Sequence, residues 1–270
     1  MIRDITIGQY YPVDSPIHRL DPRTKLIGTL TFIISLFLFK SIAGYLVATA
    51  FLVTVIRLSK VPFKFMVRGL KAILLILIIA MLFNVLLIRD GNVLFDKWFI
   101  RITDQGLYTA AFMAVRLTYL VIGSSVMTLT TTPNDLTDGL ESVLGPLKKI
   151  HIPVHEIAMM MSIALRFIPI LLEETDKIMK AQIARGADFE NGNLIQKAKN
   201  MVPLLVPLFI SAFRRADDLA MAMEARCYHG GEGRTKMKPL HYGKNDAGAF
   251  VFLLIYLAAI LAAKQFWIIV

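Results

Sequence analysis

Thr175-Asp176-Lys177-Ile178-Met179-Lys180-Ala181-Gln182-Ile183-Ala184-Arg185-Gly186 decides how this chain is read, together with its counterpart Ala216-Asp217-Asp218-Leu219-Ala220-Met221-Ala222-Met223-Glu224-Ala225-Arg226-Cys227. Set in register at an offset of 41, the two share one Asp, two Ala and one Arg, a weak internal repeat. Each closes a long segment with helical patterning, one from 154 to 186 and the other from 194 to 228. Two readings of Arg185 and Arg226 follow. A cation in the last turn of a helix offsets the macrodipole, and a Gly just beyond is a common stop. Alternatively, each guanidinium is a handle for a partner, and the rest of the chain has to be read to weigh the two.

Working outward, both segments lie between strongly apolar regions. The chain has 270 residues, 56% hydrophobic and 19% charged, with a mean hydropathy of +0.60. A soluble domain is nearer half apolar and a quarter charged. Uncharged runs of 14 to 17 residues predict an all-α polytopic membrane protein in contact with the lipid bilayer. The start, Met1-Ile2-Arg3-Asp4-Ile5, has no cleavable-signal pattern, so the first span is expected to direct insertion.

The net charge of +10 is spread so as to exclude a nucleic-acid face. Residues 57–71 carry five basic and no acidic groups, whereas residues 131–246 balance 15 basic against 14 acidic. The excess flanks apolar runs and therefore reports topology. Cys227 is the single cysteine, which rules out an intrachain disulfide.

An N-terminal membrane domain over 1–130 is expected to hold four spans, at about 26–39, 41–56, 72–88 and 106–130. Lys25 and Lys40 flank the first run, whose 14 residues make roughly 21 Å of helix and need snorkelling cations to reach the interfaces. Arg89-Asp90-Gly91-Asn92 reads as a turn, with Trp98 and Phe99 as interfacial aromatics beyond it. Arg116 interrupts the fourth span with no intramembrane carboxylate to pair with, and is expected to face protein or backbone carbonyls.

Residues 131–246 read as a cytoplasmic lobe: a short amphipathic helix over 134–149, capped by Asn134 or Asp135, then the long helices 154–186 and 194–228 and a polar linker around Gly230 to Gly243. Pro169, Pro203 and Pro207 fall inside the long helices and predict kinks. Residues 247–270 supply the fifth span, with Trp267 at its far edge. Inserting 157–172 and 200–213 as further spans would put Lys177, Lys180, Arg185, Lys197 and Lys199 outside, against the positive-inside tendency. The expected topology has five spans, the N-terminus cytoplasmic and the C-terminus outside.

Motifs for chemistry are weak. His151 and His155 are four apart, with Glu156 adjacent, but Pro153 spoils the helix that would aim both at a metal. Gly230-Gly231-Glu232-Gly233-Arg234-Thr235-Lys236 lacks the order of a phosphate loop. No span carries an acid for proton coupling. The sequence thus predicts no catalytic site, no metal and no cofactor of its own. A stand-alone secondary transporter or channel is the alternative, and it lacks the intramembrane acidic groups such a protein would use.

Three stretches carry a resemblance. His18-Arg19-Leu20-Asp21-Pro22-Arg23-Thr24-Lys25, Leu165-Arg166-Phe167-Ile168-Pro169 and the paired Ala-Arg-x triplets make the chain similar, over essentially its whole length, to the T-component of energy-coupling factor transporters. The family triplet is Ala-Arg-Gly, so Cys227 departs from it. The resemblance implies a bacterial cell-membrane complex of this chain, two ABC-type ATPases and a substrate-binding membrane subunit, the S-component, importing a vitamin or metal ion. It implies that Ala184, Arg185, Gly186 and Ala225, Arg226, Cys227 dock the two ATPases, which bind the ATP and Mg. It also implies that the apolar faces of the long helices carry the S-component. Met159, Met160, Met161, Met179, Met221 and Met223, with Pro169, suit a deformable contact surface there, although Met also fills ordinary helix-packing gaps.

Overall fold

The computed structural model describes residues 10–39, 41–88, 93–97, 100–187, 189, 193–231 and 237–266. Lys40, the turn at 89–92, Trp98, Phe99, the linker residues 232–236 and Trp267 lie outside them. Eight helices and one hairpin follow in order: α1 Pro22–Leu38, α2 Ile42–Ser59, α3 Phe63–Leu87, β1 Val93–Lys97, β2 Ile100–Thr103, α4 Asp104–Thr130, α5 Pro133–Leu144, α6 Val154–Ala184, α7 Leu194–Ala225 and α8 Lys244–Phe266, with a 3-10 stretch at Gly145–Ile150. The architecture is that of an all-α polytopic membrane protein. Among the described residues four helices are long and apolar enough to cross a bilayer, and α3, bent by 59° between 63–71 and 73–87, is a fifth if its two arms form one span. By this measure α6 qualifies, whereas α1, at 17 residues, falls short.

The hairpin is an addition to the expected loop. Val93–Lys97 and Ile100–Thr103 pair antiparallel, with Asp96 opposite Arg101. Strand-favouring residues, Val93 and Phe95 on one side and Ile100, Ile102 and Thr103 on the other, favour this pairing.

Helix starts are set by caps rather than by the edges of apolar runs. α1 begins inside the polar stretch because Asp21 accepts the Arg23 N–H and Pro22 takes the first helical position. Ser41 starts α2 by accepting from Gly44 N at 3.2 Å. Thr103 starts α4 and also donates to Ile88 O at 3.0 Å, tying the end of α3 to the start of α4. The cap of α5 is Thr132, not Asn134 or Asp135: its hydroxyl accepts from Asp135 N and donates to the Asp135 carboxylate. Pro133 then takes the first turn, and Gly145-Pro146 ends the α-helix before the 3-10 stretch.

The chain forms two compact units. One comprises Gly8–Gly139 and Leu240–Val270, the other Leu140–Pro239. In the first, α3 packs along α4, α1 against α4 and α8, and α2 against α8. Its core gathers Phe32 and Leu36, Tyr45 and Leu52, Ile122 and Val126, and Tyr256 and Ile260. Phe51 stacks on Tyr256 at 4.1 Å between ring centroids and on Phe252 at 5.2 Å. Gly123 is required here, since a Cβ would stand 2.7 Å from the Phe32 ring. The buried Tyr256 hydroxyl is satisfied by Ser35 at 2.7 Å. Arg116 behaves as expected: its guanidinium donates to the Phe39 carbonyl at 3.4 Å and lies over the Phe37 ring.

Candidate functional site: two capped arginines on paired helices

In the second unit, α6 and α7 supply the frame. Glu174 of α6 takes the Arg215 guanidinium of α7 at 2.6 Å and accepts the Ser211 hydroxyl as well. Further along α6, the Gln182 amide donates to Pro203 O of α7 at 3.3 Å. Advancing along α6 from 174 to 182 therefore means retreating along α7 from 215 to 203, so the helices run antiparallel through this contact. The Pro203 carbonyl needs such a donor because Pro207, four residues on, has no N–H to give it.

That frame fixes the arginines. Arg185 lies 11 residues beyond Glu174 and Arg226 lies 11 beyond Arg215, in opposite directions along the antiparallel pair. At 1.5 Å per residue the two caps stand roughly 30 Å apart. Each arginine is the C-cap itself, one position past the expected last turn. The caps are the same motif. Gly186 N donates to Ile183 O at 2.9 Å and Ala187 N to Gln182 O at 3.0 Å; Cys227 N donates to Glu224 O at 2.9 Å and Tyr228 N to Met223 O at 3.1 Å. Both are Schellman turns. They need a left-handed residue just past the arginine, and Gly186 supplies it at φ 90°. Cys227 supplies it at φ 55°, so the departure from Gly leaves the geometry intact.

Because the Schellman bonds occupy the helix-end carbonyls, the arginine side chains are not needed as caps. Arg185 and Arg226 are exposed, and neither guanidinium has a hydrogen bond or ion pair among the described residues. Ala184 and Ala225 beside them are also exposed, which leaves small, open surroundings for five-donor forks.

The methionines divide. Met160, Met161 and Met221 are exposed; Met159, Met179 and Met223 are half-buried. Pro169 is exposed within α6. The two histidines do not converge. His151 takes a left-handed turn after the 3-10 stretch, while His155 Nδ1 meets Glu141 at 2.9 Å. Gly231 packs so closely on the His155 ring that a Cβ there would come within 2.4 Å.

Sequence reasoning missed Glu174, Arg215 and Gln182. One signal was available: Glu174 and Arg215 are themselves 41 apart, the offset of the repeat.

The stretch His18–Lys25 is a clamp in the first unit. His18 Nε2 donates to Tyr11 O at 3.0 Å, and its Nδ1 is hydrogen-bonded to the Ser15 hydroxyl at 2.7 Å. Burial, helped by the nearby Lys25 charge, holds its pKa below the ordinary value. Burial pushes the Asp21 carboxyl up, but hydrogen bonds from Arg23 outweigh this and leave it below the usual range. The Arg23 guanidinium also lies 4.0 Å over the Tyr242 ring. Lys25 donates to Thr130 O at 2.8 Å and His18 O at 3.1 Å, joining α1 to the end of α4.

A set of bilayer-length helices, with an antiparallel helix pair ending in two exposed arginines, defines a polytopic membrane protein. Comparison with known proteins gives the family. A model of the CbiQ family, described as cobalt transport protein, matches residues 14–237. The energy-coupling factor transporter transmembrane protein EcfT of Clostridium kluyveri is 54% identical over 268 residues, 99% of each chain. That of Bacillus subtilis is 48% identical over 261 residues, 97% of this chain and 98% of its own. That of Lactococcus lactis is 43% identical over 254 residues, 94% and 96% respectively. The chain belongs to this family: it is the T-component, the transmembrane protein, of an energy-coupling factor transporter.

Proposed function

We propose that this chain is the non-catalytic coupling subunit of a bacterial importer, passing ATP-driven movement to an S-component that carries a vitamin or a metal ion. Two ABC-type ATPases, which bind the ATP and Mg, dock at Ala184-Arg185-Gly186 and Ala225-Arg226-Cys227. One observation carries the reading: two identically capped, exposed arginines, without a hydrogen bond or ion pair among the described residues, at opposite ends of an antiparallel helix pair. Two equivalent handles suit two equivalent grooves, and the fork of Arg suits carboxylates or helix-end carbonyls. Closure of the ATPase pair would shift α6 against α7, and the exposed Met160, Met161 and Met221 suit a surface that must yield under an S-component. The family name of the CbiQ model favours a metal ion as one class of cargo.

This reading puts α6 and α7 in the cytoplasm with the N-terminus, and the C-terminus outside. The cations at 57–71 and those of α6 and α7 then lie inside together. The test is co-purification from detergent-solubilised membranes. The wild type is expected to bring down two ATP-binding chains per copy. Arg185→Glu combined with Arg226→Glu is expected to lose them while still inserting. Undiminished recovery of the ATPases by the double variant overturns the docking assignment.

A further inference from the structure

A cavity of about 580 Å³ opens within the unit formed by Gly8–Gly139 and Leu240–Val270, walled by α1, α2, α4 and α8. Its lining changes along its length. Thr24 and Lys25 from the first turn of α1, with Lys244 and Asn245 from the first turn of α8, stand at one end. Phe32, Phe51, Phe252 and Leu253 form the other. From Thr24 to Phe32 is eight residues of helix, about 12 Å.

The polar end favours an anion. Of the acids near Lys25, Asp21 is paired with Arg23, Asp246 accepts the backbone N–H groups of Asp21 and Gly243, and Asp135 accepts the Thr132 hydroxyl. Lys25 spends two of its three donors on His18 O and Thr130 O, which leaves one. Lys244 is exposed and has no acid partner among the described residues. The Thr24 hydroxyl is buried without a hydrogen-bond partner, a costly arrangement that an arriving acceptor would relieve. Between the two ends there is open space beside two glycines, since a Cβ added at Gly28 or Gly248 would meet nothing within 4 Å. At about 580 Å³ the cavity is far smaller than a transmembrane helix, which is about 10 Å across with its side chains and about 30 Å long.

We propose that this cavity seats an acyl chain of an anionic phospholipid from the bilayer, with the phosphate held at Lys25, Lys244 and the Thr24 hydroxyl. The tail lies along α1 toward Phe32, and the lipid ties together the starts of α1 and α8.

The full-length protein, purified in detergent, is incubated with equal amounts of phosphatidylglycerol and phosphatidylethanolamine of matched chains, and retained lipid is counted by native mass spectrometry. The wild type is expected to retain phosphatidylglycerol in preference. Lys244→Gln is expected to cut that preference about fivefold, the effect of one cation facing an anionic headgroup. Gly248→Leu, which fills open space, is expected to abolish retention of both lipids with an unchanged thermal midpoint. Gly28→Leu serves as the second filling variant should that one unfold. Equal retention of the two lipids by the wild type overturns the proposal, as does undiminished retention in a folded filling variant. Exclusion of lipid from the cavity in the assembled transporter also overturns it, and assigns the groove to another subunit.

Discussion

The Asp246 carboxylate accepts the backbone N–H of Asp21 at 2.9 Å, across 225 residues of sequence. Its second oxygen accepts Gly243 N at 2.7 Å, so one side chain fixes both the start of α1 and the start of α8. The group is 3% exposed, which makes both bonds matter. Asp246→Ala strands two N–H donors and is expected to cost about 2 kcal/mol, read as a lower thermal midpoint in detergent. Asp246→Asn keeps one acceptor oxygen and should lose less. Equal midpoints for Ala and wild type would show that water replaces the carboxylate.

At the end of α7, Cys227 holds a left-handed conformation that Gly holds without a Cβ penalty. Cys227→Gly is therefore expected to stabilise this helix end by about 1 kcal/mol, and Cys227→Val to weaken it. Hydrogen exchange at Cys227 N and Tyr228 N, the two donors of the turn, measures the change directly.

Between α6 and α7, Gln182 answers for a hydrogen bond that Pro207 cannot make. Gln182→Ala should cost about 1 kcal/mol in the wild-type background. In a Pro207→Ala background, where an N–H at 207 can reach the Pro203 carbonyl, the same change should cost markedly less. A double-mutant cycle reads the difference, and strict additivity would refute the assignment.

His18 gives the chain a pH dependence. Its folded pKa lies below the ordinary 6.5 because partial burial of the ring, with the nearby Lys25 charge, outweighs the hydrogen bond to the Tyr11 carbonyl and the charge of Asp14. The unfolded chain therefore binds the proton more readily. Stability is full above pH 6.5 and falls as the pH drops below it, levelling off once the folded ring also titrates. A His18→Asn variant is expected to flatten this slope in midpoints measured between pH 5 and 8, roughly the window in which His changes charge.

Much of this was legible in the chain. Uncharged apolar runs marked α2, α3, α4 and α8 as bilayer-length helices, because such a helix has to be apolar over most of its length. However, α1 falls short of that length and α6, expected as a cytoplasmic helix, reaches it. The repeat at an offset of 41 marked both arginine caps, and the lack of an intramembrane acid opposite Arg116 pointed to a backbone partner such as the Phe39 carbonyl. Helix starts were misplaced wherever a polar cap lies outside the apolar run, as at Asp21 and Thr132. The 93–103 hairpin was passed over as loop.

Local chemistry determined which segments are helical and where each helix stops, since hydrophobic periodicity, Pro and left-handed residues act on near neighbours. Only the tertiary structure decided that α6 and α7 run antiparallel through Glu174–Arg215, which carries their arginines to opposite ends. It also decided that Asp21 meets Asp246. Such pairings join residues tens to hundreds of positions apart, and no local propensity encodes which distant donor satisfies a buried acceptor.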